Sequence, residues 1–400
     1  MALLPVAEAV ARVTQGLDPL EVERIPLDQA RGRVLAVDLA AGLTQPPFDA
    51  SAMDGYAVRA DDIATLPATL RLIGESLAGR GFVGEVGPGE AVRIFTGAPV
   101  PKGADTIVIQ ENTEVTPSVV TVKEAATQRH IRPRGQDFAE GEVLLRAGLR
   151  LGPRELMLAA AMNHAKLPVR RKPKVAILAT GDEVVPPGTD LEADQVVSSV
   201  PSGLAALIEA QGGEPMSLGI AKDTLESLIT LARTGSASDI LVTIGGASVG
   251  ERDLVSAALR SEGLELDFWR IAMRPGKPLL YGRMGHQRVL GVPGNPVSAL
   301  ICGLVFLVPM LHRLLGLHKE ARGRSEAVLS RDLDANGPRE HYMRAVSAWG
   351  SGGDRVVTPL SCQDSALMAE FVRADCLIVR PPDAPALARG GRVTIIPLDD

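Results

Sequence analysis

Several short loops concentrate residues that can do chemistry. The densest runs Pro46-Pro47-Phe48-Asp49-Ala50-Ser51-Ala52-Met53-Asp54-Gly55-Tyr56-Ala57-Val58, turn-rich and polar, leading directly into an apolar stretch. Loops of this kind lie at the surface, where side chains meet ligands, although successive turns between strands would read the same way. Gly245-Gly246-Ala247-Ser248-Val249-Gly250 allows close backbone approach, and amides at a helix start can hold an anion, with a purely structural turn as the alternative. It matches neither a Walker A loop nor the GxGxxG dinucleotide pattern. Pro275-Gly276-Lys277-Pro278 holds Lys277 between two rigid residues, as a fixed cation facing an anion or as a solvated lysine on a tight turn. Arg132 and Arg134, in Arg132-Pro133-Arg134-Gly135, offer two guanidinium forks that match phosphates or oxyanions, with a solvated basic turn as the alternative.

Acids fall near the same points: Glu183 after Thr180-Gly181-Asp182, then Asp223 and Asp253. Mg²⁺ takes one or two carboxylates and otherwise keeps water and phosphate oxygens, so these acids beside Arg and Lys suit metal-assisted chemistry on a phosphate ester. Asp223 and Asp253 each have a second reading, as the cap of the helix that follows, and Glu183 carries the same ambiguity.

The elements that must position these loops are legible in the pattern. A helix over residues 3–15 carries Leu3, Val6, Val10 and Val13 on one face, and Gly16 ends it. A second helix opens at Pro153. Between them, from about residue 45 to 138, short Val/Ile/Leu runs broken by Gly and Pro predict a small inserted β-rich domain, a barrel or sandwich. After residue 170, strands and helices alternate: strand Lys174–Ala179, helix 201–211, strand 214–219, helix 224–233, strand Asp239–Ile244 and helix 253–260. Strands near 265–270, 278–282 and 288–292 and a helix over 296–312 complete the series. This progression predicts a mainly parallel, doubly wound α/β domain, whose ligands bind beyond the carboxyl ends of the strands. The loops at 180–183, 245–250, 274–277 and Pro293-Gly294-Asn295-Pro296 converge on that edge. From about 321, strands return as a small C-terminal β domain. The expected fold is thus multidomain α/β plus β: a helical/linker N-terminal domain (1–44 and 139–169), the insert (45–138), the α/β domain (170–320) and the C-terminal β domain (321–400).

Composition sets further bounds. The 400 residues are 46% apolar and 22% charged, as in an ordinary globular protein of several domains. A net charge of −6 argues against a general nucleic-acid binder. Three scattered cysteines (Cys302, Cys362, Cys376) predict neither a disulfide framework nor zinc, and the six histidines form no HExxH pair. The apolar run Ala299–Leu311 is too short to span a bilayer and reads as a buried helix. The start, Met1-Ala-Leu-Leu-Pro-Val, shows no secretory signal, so the expected location is cytoplasmic.

Together with Phe95-Thr96-Gly97-Ala98-Pro99-Val100-Pro101, these motifs resemble the molybdopterin molybdenumtransferase family, from the first helix to about residue 320 and weakly beyond it. The resemblance implies a homodimer whose cleft lies between the α/β domain and the insert of the partner subunit. It implies molybdate and adenylylated molybdopterin as substrates, Mg²⁺ as cofactor, and AMP as a product. Asp54 and Thr96 would come from the insert, with Asp54 assisting proton transfer or positioning water; an Asp-Gly turn is the alternative. Glu183, Asp223, Asp253, Arg270, Arg274 and Lys277 would come from the α/β domain, and Pro293 and Pro296 would shape the pterin pocket. A molybdopterin adenylyltransferase and molybdoenzyme maturation proteins would be partners, with no nucleic acid and no membrane.

Three departures stand out. The family commonly has lysine at Arg270 and Arg274, an Asp-Ser/Thr-Asn segment at Ser198-Ser199-Val200, and small hydroxyl residues in place of Asp364–Glu370. They keep open a cofactor-binding scaffold paralogue as the rival reading. A molybdopterin adenylyltransferase built on the same α/β domain is a third, against which the large insert argues.

Overall fold

A computed structural model describes residues 3–124, 128–246, 254–317 and 323–398. The helix Val6–Thr14 starts later than expected and leaves Leu3 outside; it buries Val6 and Val13, as its apolar spacing predicts, with Ala9 beside them and Val10 half-buried. That face packs on the α/β core rather than on the segments flanking the insert: the three residues share one cluster with Val175, Leu290 and Leu311. A separate core draws Leu35 and Leu39 from before the insert together with Leu145, Leu151, Met162 and Leu167 from after it. There the strands Val22–Pro26 and Lys166–Arg170 pair antiparallel.

The insert is a six-stranded sheet in the order Thr106–Ile109, Gly55–Val58, Glu90–Ile94, Ala68–Ser76, Val119–Val122, Thr113–Val115. Residue alternation feeds two cores: Tyr56, Val58, Ala91 and Val108 enter one, Ala57, Val92 and Ile107 the other. Gly55 sits where a Cβ would lie 2.0 Å from the Val108 carbonyl oxygen, so only glycine fits. Outside this sheet, Ile131–Arg132 pairs with Ala50–Ser51, which brings the Arg132-Pro133-Arg134 loop beside the Asp49–Asp54 loop.

In the α/β domain the strand order is Glu214–Ala221, Lys174–Thr180, Ile240–Ile244, Gln287–Val292, Pro278–Met284, Glu265–Arg270. The first four run parallel. Pro278–Met284 runs against both neighbours, because a two-residue turn with Gly285 at φ 61° folds it directly back onto Gln287–Val292. The sheet is mainly parallel, as expected, with one reversed strand. Ile240–Ile244 is buried throughout, the continuous apolar run that a central strand covered on both faces requires. Helices Val200–Ala210 and Val6–Thr14 and the helical run Pro296–Leu315 cover one face; helices Leu225–Thr234 and Leu254–Ser261 cover the other. The run from Pro296 widens into a π segment at Gly303–Leu307 and ends at Leu315, three residues beyond the expected end, with Gly316 in the left-handed region after it. It is long and apolar enough to cross a membrane, yet most of it is buried in this core.

The C-terminal strands Ser325–Leu329, Glu340–Trp349, Arg355–Pro359, Cys376–Arg380 and Arg392–Pro397 close on themselves. Glu340–Trp349 pairs with both Arg355–Pro359 and Cys376–Arg380, completing a five-stranded barrel without a free edge. Met273–Arg274 of the α/β domain adds alongside Glu340–His341, and Tyr342, Leu377 and Val379 join the α/β core.

Candidate active site

Parallel register places the strand ends Thr180, Ala221, Ile244 and Val292 on one edge. A cavity of about 1090 Å³ opens there. Glu183, Asp223, Gly245, Gly246, Pro293, Gly294, Asn295 and Pro296 line it, together with Ser198, Ser199, Ala366 and Met368. Of the loops expected to converge, three therefore share one cavity. The glycines are demanded by the packing. Gly245 and Gly246 have φ of 87° and 61°, and a Cβ on Gly246 would lie 2.3 Å from Val255 Cγ2. The rest of that turn, including Ser248 and Gly250, lies outside the described residues, as does Asp253.

The two readings of Asp223 separate here. Thr224 caps the helix Leu225–Thr234, its hydroxyl accepting from the Ser227 amide at 3.2 Å. The Asp223 amide donates to Asp182 Oδ1 at 3.1 Å, and Asp223 and Glu183 both border the cavity as exposed acids. Among the described residues no three His, Cys, Asp or Glu side chains gather as a metal-holding group. Two exposed carboxylates at an open cavity nonetheless suit Mg²⁺, which completes its shell with water and phosphate oxygens.

Pro296 opens its helix at the first turn, and the Asn295 side chain does not cap it. Asn295 Nδ2 instead donates to Ser365 Oγ at 3.1 Å, and the Val297 amide donates to the Ser365 carbonyl oxygen at 3.1 Å. These bonds bring the segment holding Ala366 and Met368 onto the cavity as a wall. Asp364 Oδ1 accepts from the Ala366 amide at 2.9 Å, and Glu370 pairs with Arg373 at 3.0 Å.

Arg270, Arg274 and Lys277 share the sheet edge without lining this cavity; Pro278 lines it. Arg270 lies 3.6 Å from the centroid of the Trp269 ring. Arg274 pairs with His341 of the barrel, and the Ile271 amide donates to the Lys277 carbonyl oxygen at 3.1 Å. Gly276 has φ of 103°, and a Cβ there would lie 2.6 Å from Cys302 Sγ, so glycine seats the loop on the core. Among the described residues none of the three cations forms an ion pair.

In the insert, the Thr96 amide and hydroxyl donate to Asp54 Oδ1 at 2.7 and 2.8 Å. These two bonds, with the Arg93 cation nearby, hold the Asp54 carboxyl below the usual carboxylate range. The Arg134 amide donates to Asp49 Oδ1 at 2.8 Å and its Nε to the Pro47 carbonyl oxygen at 3.2 Å. Arg132 and Arg134 are exposed on the side that carries the Asp54 loop. The structure thus brings the expected residues into two groups, one per domain. No described insert residue lines the α/β cavity. Sequence reasoning missed Arg93, because only strand register reveals its place opposite Tyr56.

Three family models match the chain: MoeA N-terminal region (domain I and II) over residues 4–163, probable molybdopterin binding domain over 176–313, and MoeA C-terminal region (domain IV) over 326–398. A molybdopterin molybdenumtransferase of Haemophilus influenzae is 33% identical over 387 residues, covering 95% of each chain. Molybdopterin molybdenumtransferase 2 of Mycobacterium tuberculosis is 37% identical over 348 residues, covering 84% of this chain and 85% of the relative. The crystal structure of a molybdopterin biosynthesis MoeA protein from Pyrococcus horikosii superposes with a TM-score of 0.85 at 31% identity over the whole of both chains.

Proposed function

This chain belongs to the molybdopterin molybdenumtransferase family, and from that premise we propose that it inserts molybdate into adenylylated molybdopterin and releases AMP, a step of molybdenum cofactor biosynthesis. The observation that carries the reading is the cavity at the carboxyl edge of the sheet. Its glycine turn, two carboxylates and Pro293–Pro296 corner suit a phosphorylated, partly planar ligand. Arg270, Arg274 and Lys277, unpaired among the described residues, add positive charge at the same edge, favouring an anion.

In this reading the cations hold phosphate and molybdate oxygens, and holding both substrates together supplies much of the rate. Glu183 and Asp223, with Asp253, would hold Mg²⁺. When bound, the ion would offset charge on the phosphate oxygens. Asp54 contributes a carboxylate whose Oδ1 is occupied by Thr96 and whose Oδ2 takes no hydrogen bond from a described residue. That free oxygen would accept a proton or orient water as the phosphoanhydride opens. Arg132 and Arg134 would meet the substrate from the insert side. Ser248 and Gly250 would complete the anion-binding turn.

We further infer a homodimer with a shared cleft. What supports it is the separation of Asp54 and Thr96 from the cavity of their own chain, since a second subunit's insert would supply them. A cytoplasmic location fits this role, as do an adenylyltransferase upstream and molybdoenzyme maturation proteins downstream.

The test is to mix purified protein with adenylylated molybdopterin, Mg²⁺ and molybdate and to follow AMP. Release that depends on both ions is expected. Tight pterin binding with no AMP under any metal or oxyanion would replace the enzyme reading with the scaffold reading.

A further inference from the structure

Arg93 stands opposite Tyr56 in the ladder between Gly55–Val58 and Glu90–Ile94. Its guanidinium carbon lies 4.9 Å from the ring centroids of both Tyr56 and Phe95. One nitrogen donates to the Gly55 carbonyl oxygen at 3.3 Å and another to Gln110 Oε1 at 2.7 Å. The Gln110 amide in turn donates to the Asp54 carbonyl oxygen at 3.2 Å. Two consecutive carbonyls of the Asp54–Gly55 turn are thus held, one by the Gln110 backbone amide and one by the Arg93 side chain, and the Gln110 side chain accepts from Arg93. Gly55 itself lies against the Val108 carbonyl, with no room there for a Cβ. Arg93 also ends three residues before Thr96, so one strand terminus supplies both supports of Asp54. Among the described residues Arg93 has no ion pair. Its charge is spent on one backbone carbonyl, one side-chain amide and two ring faces, the geometry that suits a planar guanidinium and not an ammonium.

We propose that Arg93 is the positioning residue for Asp54: clamped between Tyr56 and Phe95 and tied to the Asp54–Gly55 turn, it aims the carboxylate so that Oδ2 faces the substrate. This rests on the catalytic reading of Asp54. Of the groups around this carboxylate, Thr96 and Gln110 are neutral, and Glu111, which accepts from Gln110 at 3.5 Å, is exposed. Asp49, Arg132 and Arg134 stand on the loops beside it. Arg93 is the charge that, after the two Thr96 hydrogen bonds, lowers the Asp54 carboxyl.

The experiment compares Arg93→Met, Arg93→Lys and Asp54→Asn as full-length proteins. The Asp54 carboxyl is titrated by ¹³C NMR, its signal identified by its loss in Asp54→Asn, and AMP release is followed against pH. Arg93→Met should raise the pH at which Asp54 titrates and move the acid limb of kcat/KM the same way. It should also lower kcat about a hundredfold, as misplacement of a reacting group does, with KM little changed. Arg93→Lys should restore the titration, because charge returns, while kcat recovers only in part because the fork does not. An unchanged titration and acid limb in Arg93→Met, with only a lower Tm, would overturn the proposal. If Arg93→Met does not fold, Arg93→Lys and Phe95→Leu carry the same comparison: normal kcat in both overturns the proposal as well. A shifted titration with full turnover in Asp54→Asn would instead remove the catalytic reading of Asp54 and leave Arg93 as its anchor.

Discussion

At the residue scale the two candidate groups ask different things of their charges. Asp54 is held by hydrogen bonds to one oxygen, which favour its ionised form; under the proposed function its part is proton handling or water placement. Asp54→Asn should leave substrate affinity intact and lower turnover, since the lost group acts mainly during reaction. Thr96→Val keeps the amide bond and deletes the hydroxyl. Hydrogen bonds to charged groups are worth roughly 1.5–3 kcal/mol, so kcat should fall about ten- to a hundredfold. Lys277 is exposed and unpaired among the described residues, which suits a ground-state contact. Lys277→Ala should raise the Kd of adenylylated molybdopterin by a similar factor, read by calorimetry. Unchanged affinity would leave Lys277 as a solvated lysine on its turn.

At the scale of elements, the loops act because cores hold them. Gly276 carries Lys277 and lies against Cys302, at a backbone angle L side chains avoid. Gly276→Ala should cost about 1–3 kcal/mol of stability, seen as a lower Tm. It should also weaken substrate binding, because the loop must move off its seat. The segment from Asp364 to Glu370 forms a cavity wall through Ala366 and Met368. Glu370 is already paired with Arg373, so the more consequential negative charge is that of Asp364. The double change Asp364→Gly with Glu370→Ser should tighten binding of the anionic substrate, with the larger gain at low ionic strength where screening is weaker. Affinity flat across a salt series would show that neither acid faces the substrate.

At the scale of the whole molecule, two histidines at domain contacts tie stability to pH. His312 donates to Gln211 Oε1 at 2.9 Å beside Arg150, and His341 lies in the barrel near Arg274 and Arg339. Burial first, then the neighbouring arginines, lowers each from 6.5 to about 4. Between those values the unfolded chain binds the protons and the fold does not. Stability should therefore be full above pH 6.5 and fall as pH drops toward 4, by up to roughly 3 kcal/mol per ring at about 1.4 kcal/mol per pKa unit. His312→Gln should flatten the fall of Tm with pH over that range; an unaltered slope would mean that His312 is protonated in the fold. The shared cleft has its own test: Asp54→Asn and Lys277→Ala proteins, each impaired alone, should regain activity when mixed and allowed to exchange subunits.

The sequence by itself determined the elements and the loops between them. Glycine and proline positions, apolar periodicity and helix-start residues act locally, so they fixed the α/β alternation, the insert and the turns at 180–183, 245–246 and 293–296. The rule that ligands sit at the carboxyl ends of parallel strands then placed those turns together. Tertiary structure alone decided what depends on partners distant in the chain. The reversal of Pro278–Met284, closure of the C-terminal barrel and docking of Val6–Thr14 on the α/β core are choices among pairings that local pattern leaves open. The Ser365 segment reaches Asn295 across 70 residues, and Arg93 meets Tyr56 only through strand register. Nor does any local signal say that Asp54 stands apart from the cavity of its own chain. No described insert residue lines the cavity, a matter of how the domains pack and not of the residues within either loop.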